Sequence, residues 1–522
     1  MGRSYLKNAV LLTGSDVMLR LAGMGLRIYL ANALGGEGMG LYQLVLAVYS
    51  LFVTLATAGV SVAATRLLTE ELSRSPAAAR GMLQRLGLAA MGLGLAAMAV
   101  QLGTAEPAAQ WWLGDVRAAG ALRVSALGMP WMAGAAVLRG FFLARRQVTP
   151  NVISQLAEQA VRIALVVSAL SAARLRDTGT RCMLVLGATA LSEAVSASIM
   201  LAFYRREAAR CFGTAKPLRP PDPGRRLWEI LWPVEGGRVL SSGLHTAENM
   251  LVPACLAVYL ANSGGRAAAL EQYGVLKGMA LPLLNFPFGL LGSLGVLLMP
   301  EITQAHIEGQ TQRLNRLLDR MLRLTGYFSA LAGVLFWVWG RPAAQLLYGS
   351  PEAGFYLQAL APAMPLMYLE SMVDGAMKGV GEQKAAFRYS LWDSILRIGG
   401  VVLLLPRFGM KGFLAVILLS CTYTCAANTG RLLFSSGTKH AFRRWLGAPV
   451  LAALTAGAAG TGVWRLLARF LAGDRLAQAA AIAAGGMVTA AVYLLAALPL
   501  GLGEELKGLF ATPAKGKKRE KS

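Results

Sequence analysis

The chain is 522 residues long, 55% hydrophobic and only 15% charged, yet it carries a formal net charge of +24. So apolar a composition excludes an ordinary soluble domain. No polar stretch is long enough to be a folded nucleic-acid-binding domain that would account for the positive charge.

Runs of about 20 mostly apolar residues, the length that crosses a bilayer, recur along the whole chain. Fourteen spans are predicted, at 8–33, 41–65, 83–103, 120–143, 152–172, 182–204, 228–261, 272–300, 322–340, 355–377, 387–405, 411–434, 446–468 and 477–500. The runs are long and rich in Leu, Ala and Gly, not the ten-residue alternating segments of a membrane barrel. The expected fold is therefore all-α, a polytopic membrane protein with fourteen transmembrane helices. Lys and Arg concentrate in the N-terminus, the even-numbered loops and the C-terminal tail, while the first loop has none. This bias places both termini in the cytoplasm.

The first apolar run is interrupted by Asp16, Arg20 and Arg27, which a cleaved signal peptide would not tolerate. Those three residues and Gly23 share one helical stripe. The Gly-rich segment Gly35-Gly36-Glu37-Gly38-Met39-Gly40 follows a helix instead of a strand and is expected to be a turn in the first outer loop.

Residues 129–170 lie over 364–405 without a gap, matching Met129 with Met364, Pro130 with Pro365, Met132 with Met367, Gly140 with Gly375 and Ile163 with Ile398. Within this repeat Glu158 and Arg162 recur as Asp393 and Arg397, each pair at i, i+4. Charges are costly in hydrocarbon and usually face a bundle interior or a watery path, so a duplicated pair points to transport. The bland alternative is that each pair neutralises itself on one helix face.

The repeat divides the chain into a first lobe of six helices (1–215), a Pro-rich cytoplasmic linker (216–227), a second six-helix lobe (228–440), an extra helix pair (441–505) and a basic tail (506–522). The two lobes start on the same side, which makes the repeat parallel, with an axis near the membrane normal. The basic loop between spans six and seven and the tail are expected to lie on anionic lipid head groups.

The seventh span carries a long polar stripe, Glu235, Arg238, Ser242, His245, Glu248 and Asn249. The eighth contributes Lys277 and is broken by Pro282 and Pro287. The sixth contributes Glu193, and the tenth Glu370 and Asp374. The cations within the spans are thus Arg20, Arg27, Arg162, Arg238, Lys277 and Arg397. Gathered on one cavity they would attract an anion, and guanidinium forks suit phosphate or pyrophosphate. Asp16, Glu158, Glu235, Glu248, Glu370, Asp374 and Asp393 are candidates for balancing that charge or for taking Na⁺ or H⁺ as a coupling ion.

No phosphate-binding GxxxxGK[ST] loop is present, so energy would come from an ion gradient, the membrane potential or substrate turnover. Five cysteines and three scattered histidines form no metal-ligand pattern. No enzyme, cofactor or nucleic-acid role is expected.

The stretch Leu19-Arg20-Leu21-Ala22-Gly23 through Leu34–Tyr42, and Leu281–Glu301 with its ending Leu298-Met299-Pro300-Glu301-Ile302, resemble the stage V sporulation protein B family of polysaccharide-biosynthesis membrane proteins. That family is part of the multidrug/oligosaccharidyl-lipid/polysaccharide exporter superfamily. The resemblance implies two six-helix lobes, with an extra C-terminal pair in the peptidoglycan branch. It also implies a lipid-linked sugar substrate, most specifically lipid II, in the bacterial cytoplasmic membrane. In the related flippases cations of helices one and eight bind the pyrophosphate; the matching positions are Arg20, Arg27 and Lys277. Those relatives place an Asp after the Arg near the end of helix one, whereas Ile28 follows Arg27 here, which puts ion coupling in question. In those relatives the extra helix pair forms a groove for the polyprenyl tail. A monomer is the family-like default, and cell-wall synthases are the natural protein partners. A cation-coupled exporter of drugs or small metabolites and a non-transporting scaffold for cell-wall synthases are the competing readings.

Overall fold

The structure, a computed structural model, describes residues 2–57, 59–172, 177–213, 217–218, 223–438, 441–471 and 474–503. Side chains are described from Gly14 onward, apart from those at 223–235, 293–294, 296–297 and 468–471. The side chain of Glu235, linker residues 216 and 219–222 and the basic 506–522 tail therefore lie outside the described residues, and the helix of span seven already begins at Pro223.

Every regular element among the described residues is a helix, as hydrocarbon demands of a chain that must pair its backbone within each segment. Nine of them are long and apolar enough to cross a membrane. Two of these nine each hold two predicted spans joined at a glycine. Gly2–Thr57 bends at Gly35 (φ 72) and Gln383–Ser436 at Gly409 (φ 59), backbone values that a side chain would strain. The predicted seventh, eighth and tenth spans complete the fourteen. They are helical but polar or interrupted: Pro223–Tyr259, then Gly265–Gly274 with Leu281–Asn285 and Phe288–Ile307, then Pro351–Leu360 with Met364–Gly379. Pro282 and Pro287 sit at the two breaks of the eighth span, as their missing N–H groups require.

The chain packs as two compact units, residues 1–279 with 397–413 and residues 280–396 with 414–522. In the first, Leu67, Leu68, Leu83, Phe141 and Phe142 form a buried core among spans two, three, four and six. The second has two cores. One joins spans eight to twelve through Leu318, Met372, Met377 and Leu432. The other holds the extra helix pair against span nine. There Trp339 donates to Thr489 Oγ1 (3.0 Å), and Gly485 is bare where a Cβ would enter the Trp339 ring. Tyr493 donates to the Tyr327 carbonyl (2.8 Å) and Tyr327 to that of Leu500 (2.6 Å).

The internal repeat is carried into three dimensions. Met129–Ala144 and Met364–Gly379 are both 16-residue helices with a proline in the first turn, and Met129 and Met364 are both fully buried. Gly140 and Gly375 each allow a close approach, the first to Ala64 and Ser61, the second to Met299.

The Gly-rich segment departs from its expected turn. Only Gly35 leaves the helix; Gly36 to Gly40 are helical and face Gly265–Gly274 of span eight. A Cβ on Gly274 would fall on the backbone of Gly36 and Gly40, and one on Gly40 on the Leu270 carbonyl. The glycines are there for a backbone-to-backbone crossing of the kind membrane helices use in place of a hydrophobic driving force.

On the side that the Lys/Arg bias assigns to the exterior, four inter-span connections of the first unit are tied together. Arg117 donates to Glu37 (2.8 Å) and, through Nη2 and Nε, to Asp115 (2.7 and 3.0 Å). Arg266 donates to the Leu113 carbonyl and Arg181 to that of Ala33. Burial pushes the Asp115 carboxyl up, but hydrogen bonds and charge from Arg117, with Arg266 adding, hold it below the usual carboxylate range.

Two outcomes follow from this packing. Gly274→Val should cost about 1–3 kcal/mol by overpacking, read as a lower Tm of the purified protein in detergent; an unchanged Tm would show that the crossing can open without cost. For the clasp, a depressed carboxylate stabilises above its unfolded pKa of about 4 and stops doing so as pH falls through the folded value. Stepping from about pH 5 to about pH 3 should therefore lower the wild-type Tm more than that of Arg117→Ala, which should already be less stable at neutral pH. Parallel curves would exclude a role for the clasp.

Candidate functional site

The paired charges of both repeats reach beyond their own span. In spans five and six (Thr149–Ala172 and Thr178–Phe212), Arg162 donates to Glu158 (2.6 Å), Glu193 (3.3 Å) and Ser192 (3.3 Å). Arg139 of span four reaches the other oxygen of Glu158 (3.4 Å) and Ser196 (3.3 Å). Two bases and two acids make this cluster neutral. None of its side chains is more than 27% exposed, so the attraction is only partly screened.

In the second repeat Arg397 turns to span seven. Its Nε and Nη2 donate to the two oxygens of Glu248 (3.0 and 2.5 Å), a fork-on-fork pair only 17% and 3% exposed. His245 stands on the same carboxylate at 3.8 Å with its ring mostly in the open. Lys277 lies within the field of both Glu248 and Arg397. It is carried on Val275–Ala280, a π-helical turn of the kind often found where a helix must aim a functional side chain. Its Nζ sits 5.9 Å from the centre of the Phe413 ring, within cation–π range. Two basic side chains, Arg397 and Lys277, thus stand around one carboxylate. One turn before, Tyr273 donates to Asn249 (3.2 Å).

Span one leaves its stripe accessible. Asp16, Arg20 and Arg27 are exposed and have no hydrogen-bond or ion-pair partner among the described residues, while Gly23 between them approaches Gln159. Arg238 is exposed as well. In the second unit, Asp393 accepts from Ser420 (2.6 Å), Asp374 holds Lys378 (2.6 Å) and Glu370 is half-buried. Among the described residues no group of three or more His, Cys, Asp or Glu side chains could hold a metal ion. None of the five cysteines is in a disulfide among the described residues.

Thus the structure brings Glu158, Arg162 and Glu193 together, and separately Glu248, Arg397 and Lys277. Arg139 was not singled out by sequence reasoning. The repeat itself was the available signal, because Arg139 aligns with Asp374: one half reads base, acid, base and the other acid, acid, base.

In the second unit an apolar cavity of about 480 Å³ opens between spans nine, ten and thirteen, lined by Gly333, Val334, Trp337, Pro362, Leu454 and Gly457. It is shaped for hydrocarbon and offers almost nothing polar.

Residues 5–220 match the family described as polysaccharide biosynthesis protein, and residues 277–403 match the MatE family. Stage V sporulation protein B of Bacillus subtilis (strain 168) is 25% identical over 430 residues, covering 78% of this chain and 80% of that protein. Lipid II flippase MurJ of the same organism is 22% identical over 539 residues, 98% of this chain and 99% of that one. Among solved structures, an inward closed lipid II flippase MurJ superposes with a TM-score of 0.72, at 13% identity, over 95% of this chain and 99% of its own. An inward-facing multidrug resistance MATE family transporter superposes with a TM-score of 0.59, at 14% identity, over 83% of this chain and 96% of its own. The chain is accordingly a multi-pass membrane protein that shares the fold of these solved structures and is similar to stage V sporulation protein B. Of these similar proteins MurJ is named a lipid II flippase and the MATE protein a multidrug transporter, and none is named as an enzyme.

Removing one member of a buried pair leaves a bare charge, which costs about 3 kcal/mol or more. Glu248→Ala should therefore lower the Tm in detergent sharply, whereas Glu248→Ala combined with Arg397→Ala should recover part of the loss. A double variant no better than the single one would show that the two side chains are not coupled.

Proposed function

We propose that this membrane protein is a lipid-linked oligosaccharide flippase, moving an undecaprenyl-pyrophosphate-linked peptidoglycan precursor of the lipid II type across the bacterial cytoplasmic membrane. The movement would be by alternating access of the two six-helix lobes, with both termini in the cytoplasm and the protein acting as a monomer. The observation that carries this reading is the division among the cations. Arg162 and Arg397 are engaged by carboxylates, whereas Arg20 and Arg27 are exposed with no partner among the described residues and Lys277 stands in the field of a carboxylate already paired with Arg397. Those three are the positions that the family resemblance assigns to the pyrophosphate. Guanidinium can hold two phosphate oxygens at once, and the lysine adds a compact charge.

The apolar cavity beside span thirteen supports the lipid half of the substrate, since a polyprenyl chain needs a surface with no polar group to desolvate. Charge balance and ion coupling by Na⁺ or H⁺ would fall to Glu158 and Glu193 around Arg162, and to Asp16, Glu235, Glu370, Asp374 and Asp393.

A cation-coupled multidrug exporter is the second reading, favoured by the shared MATE architecture. Two features weigh against it. A cavity for organic cations wants an excess of acids, and the MATE likeness covers less of this chain than the flippase likeness does.

The test is native mass spectrometry of the purified protein with lipid II and with undecaprenyl phosphate. Wild type should retain lipid II selectively, and Arg27→Ala and Lys277→Ala should each weaken retention on the order of tenfold, the loss of one charge-assisted contact. Equal indifference of wild type and both variants to either lipid would overturn the flippase and favour organic-cation export.

A further inference from the structure

Apart from these clusters, the second unit has an open cavity of about 800 Å³ at the start of span eleven and the end of span twelve, lined by Glu382, Gln383, Lys384, Arg388 and Arg431. It is on the face that the Lys/Arg bias assigns to the cytoplasm. Gly381 (φ 81) makes the left-handed turn that brings the chain into it. Arg431 donates through Nε and Nη2 to the two oxygens of Glu382 (3.0 and 2.7 Å), so the acid of the cavity is already engaged. Lys384 and Arg388 are both exposed and have no partner among the described residues. They stand at i, i+4 on one helix face, where like charges repel unless an anion lies between them. Continuing along the same face, Trp392 (63% exposed) and Ile395 (55% exposed) follow, with Leu396 beside them. At 1.5 Å per residue Trp392 lies about 6 Å deeper than Arg388. Cations at head-group level above an exposed indole and aliphatic side chains are the sequence of environments that a single phospholipid meets on entering a leaflet.

We propose that Lys384 and Arg388, with the guanidinium of Arg431 beside them, form a binding site for the phosphodiester head group of an anionic phospholipid, its acyl chains lying on Trp392, Ile395 and Leu396. The site is independent of the flippase reading and separate from the cations of spans one and eight. An acyl-bearing ligand is favoured over a soluble phosphate because the basic pair is continuous with the apolar strip.

The experiment compares phosphatidylglycerol, phosphatidylcholine of the same chain length and inorganic phosphate on the purified full chain, by native mass spectrometry. Wild type should retain phosphatidylglycerol over phosphatidylcholine. Lys384→Gln with Arg388→Gln should weaken that retention on the order of tenfold or more, and Trp392→Ala should weaken it as well. Arg443→Gln with Arg444→Gln, an exposed basic pair on the same side, should not. Equal phosphatidylglycerol retention by wild type and the Lys384/Arg388 double variant would overturn the site. Displacement of the lipid by inorganic phosphate, with no effect of Trp392→Ala, would overturn the lipid assignment and make the cavity a soluble-phosphate site.

Discussion

Both oxygens of Glu248 receive the guanidinium of Arg397, and that contact shows the constraint under which the whole chain is built. A charge placed among apolar helices must meet an opposite charge or a hydrogen-bonding group, because the surroundings cannot solvate it. Arg162 satisfies this with Glu158, Glu193 and Ser192, and Arg139 with Glu158 and Ser196. Each such group fixes two or three helices at once. The charged side chains that bring helices together in the first unit are thus the same ones that make its interior polar.

The exceptions then gain meaning. Arg20 and Arg27 have no such partners among the described residues and are exposed along one stripe of span one, so whatever meets them must supply negative charge or water. Lys277 is a milder exception, carried on a π-helical turn against an aromatic ring and near a carboxylate already held by Arg397. That turn begins directly after Gly274, where the span crosses the Gly36–Gly40 backbone. The close crossing and the placement of Lys277 are therefore one local device, and a bulkier residue at the crossing would move both.

The second unit solves a different problem. Its extra helix pair has almost no charge with which to find its place, yet it is anchored to span nine by Trp339 on Thr489 and by Tyr327 and Tyr493 on backbone carbonyls. Hydrogen bonds from aromatic side chains give orientation that aliphatic packing alone would not, and an apolar cavity lies beside span thirteen. On the opposite chemical extreme, Lys384 and Arg388 keep a basic cavity open at the membrane surface because the nearby acid, Glu382, is bound to Arg431.

Much of this was legible in the sequence, because the rules involved are local. Span length and apolar runs predicted the helices, the prolines at 282 and 287 predicted the breaks in span eight, and the gapless repeat predicted two matching helices, Met129–Ala144 and Met364–Gly379. What the chain order could not decide is who partners whom. Arg162 reaches past its i, i+4 partner Glu158 to Glu193 of span six, Arg397 reaches Glu248 of span seven, and Asp393 accepts from Ser420. Likewise the run from Gly35 to Gly40 looked like a turn, since glycine serves a bend and a close crossing equally well and only the neighbouring helix tells them apart. Helix formation depends on residues a turn away, and the sequence determines it; the pairing of buried charges depends on which helix packs alongside, and that is decided by the tertiary structure alone.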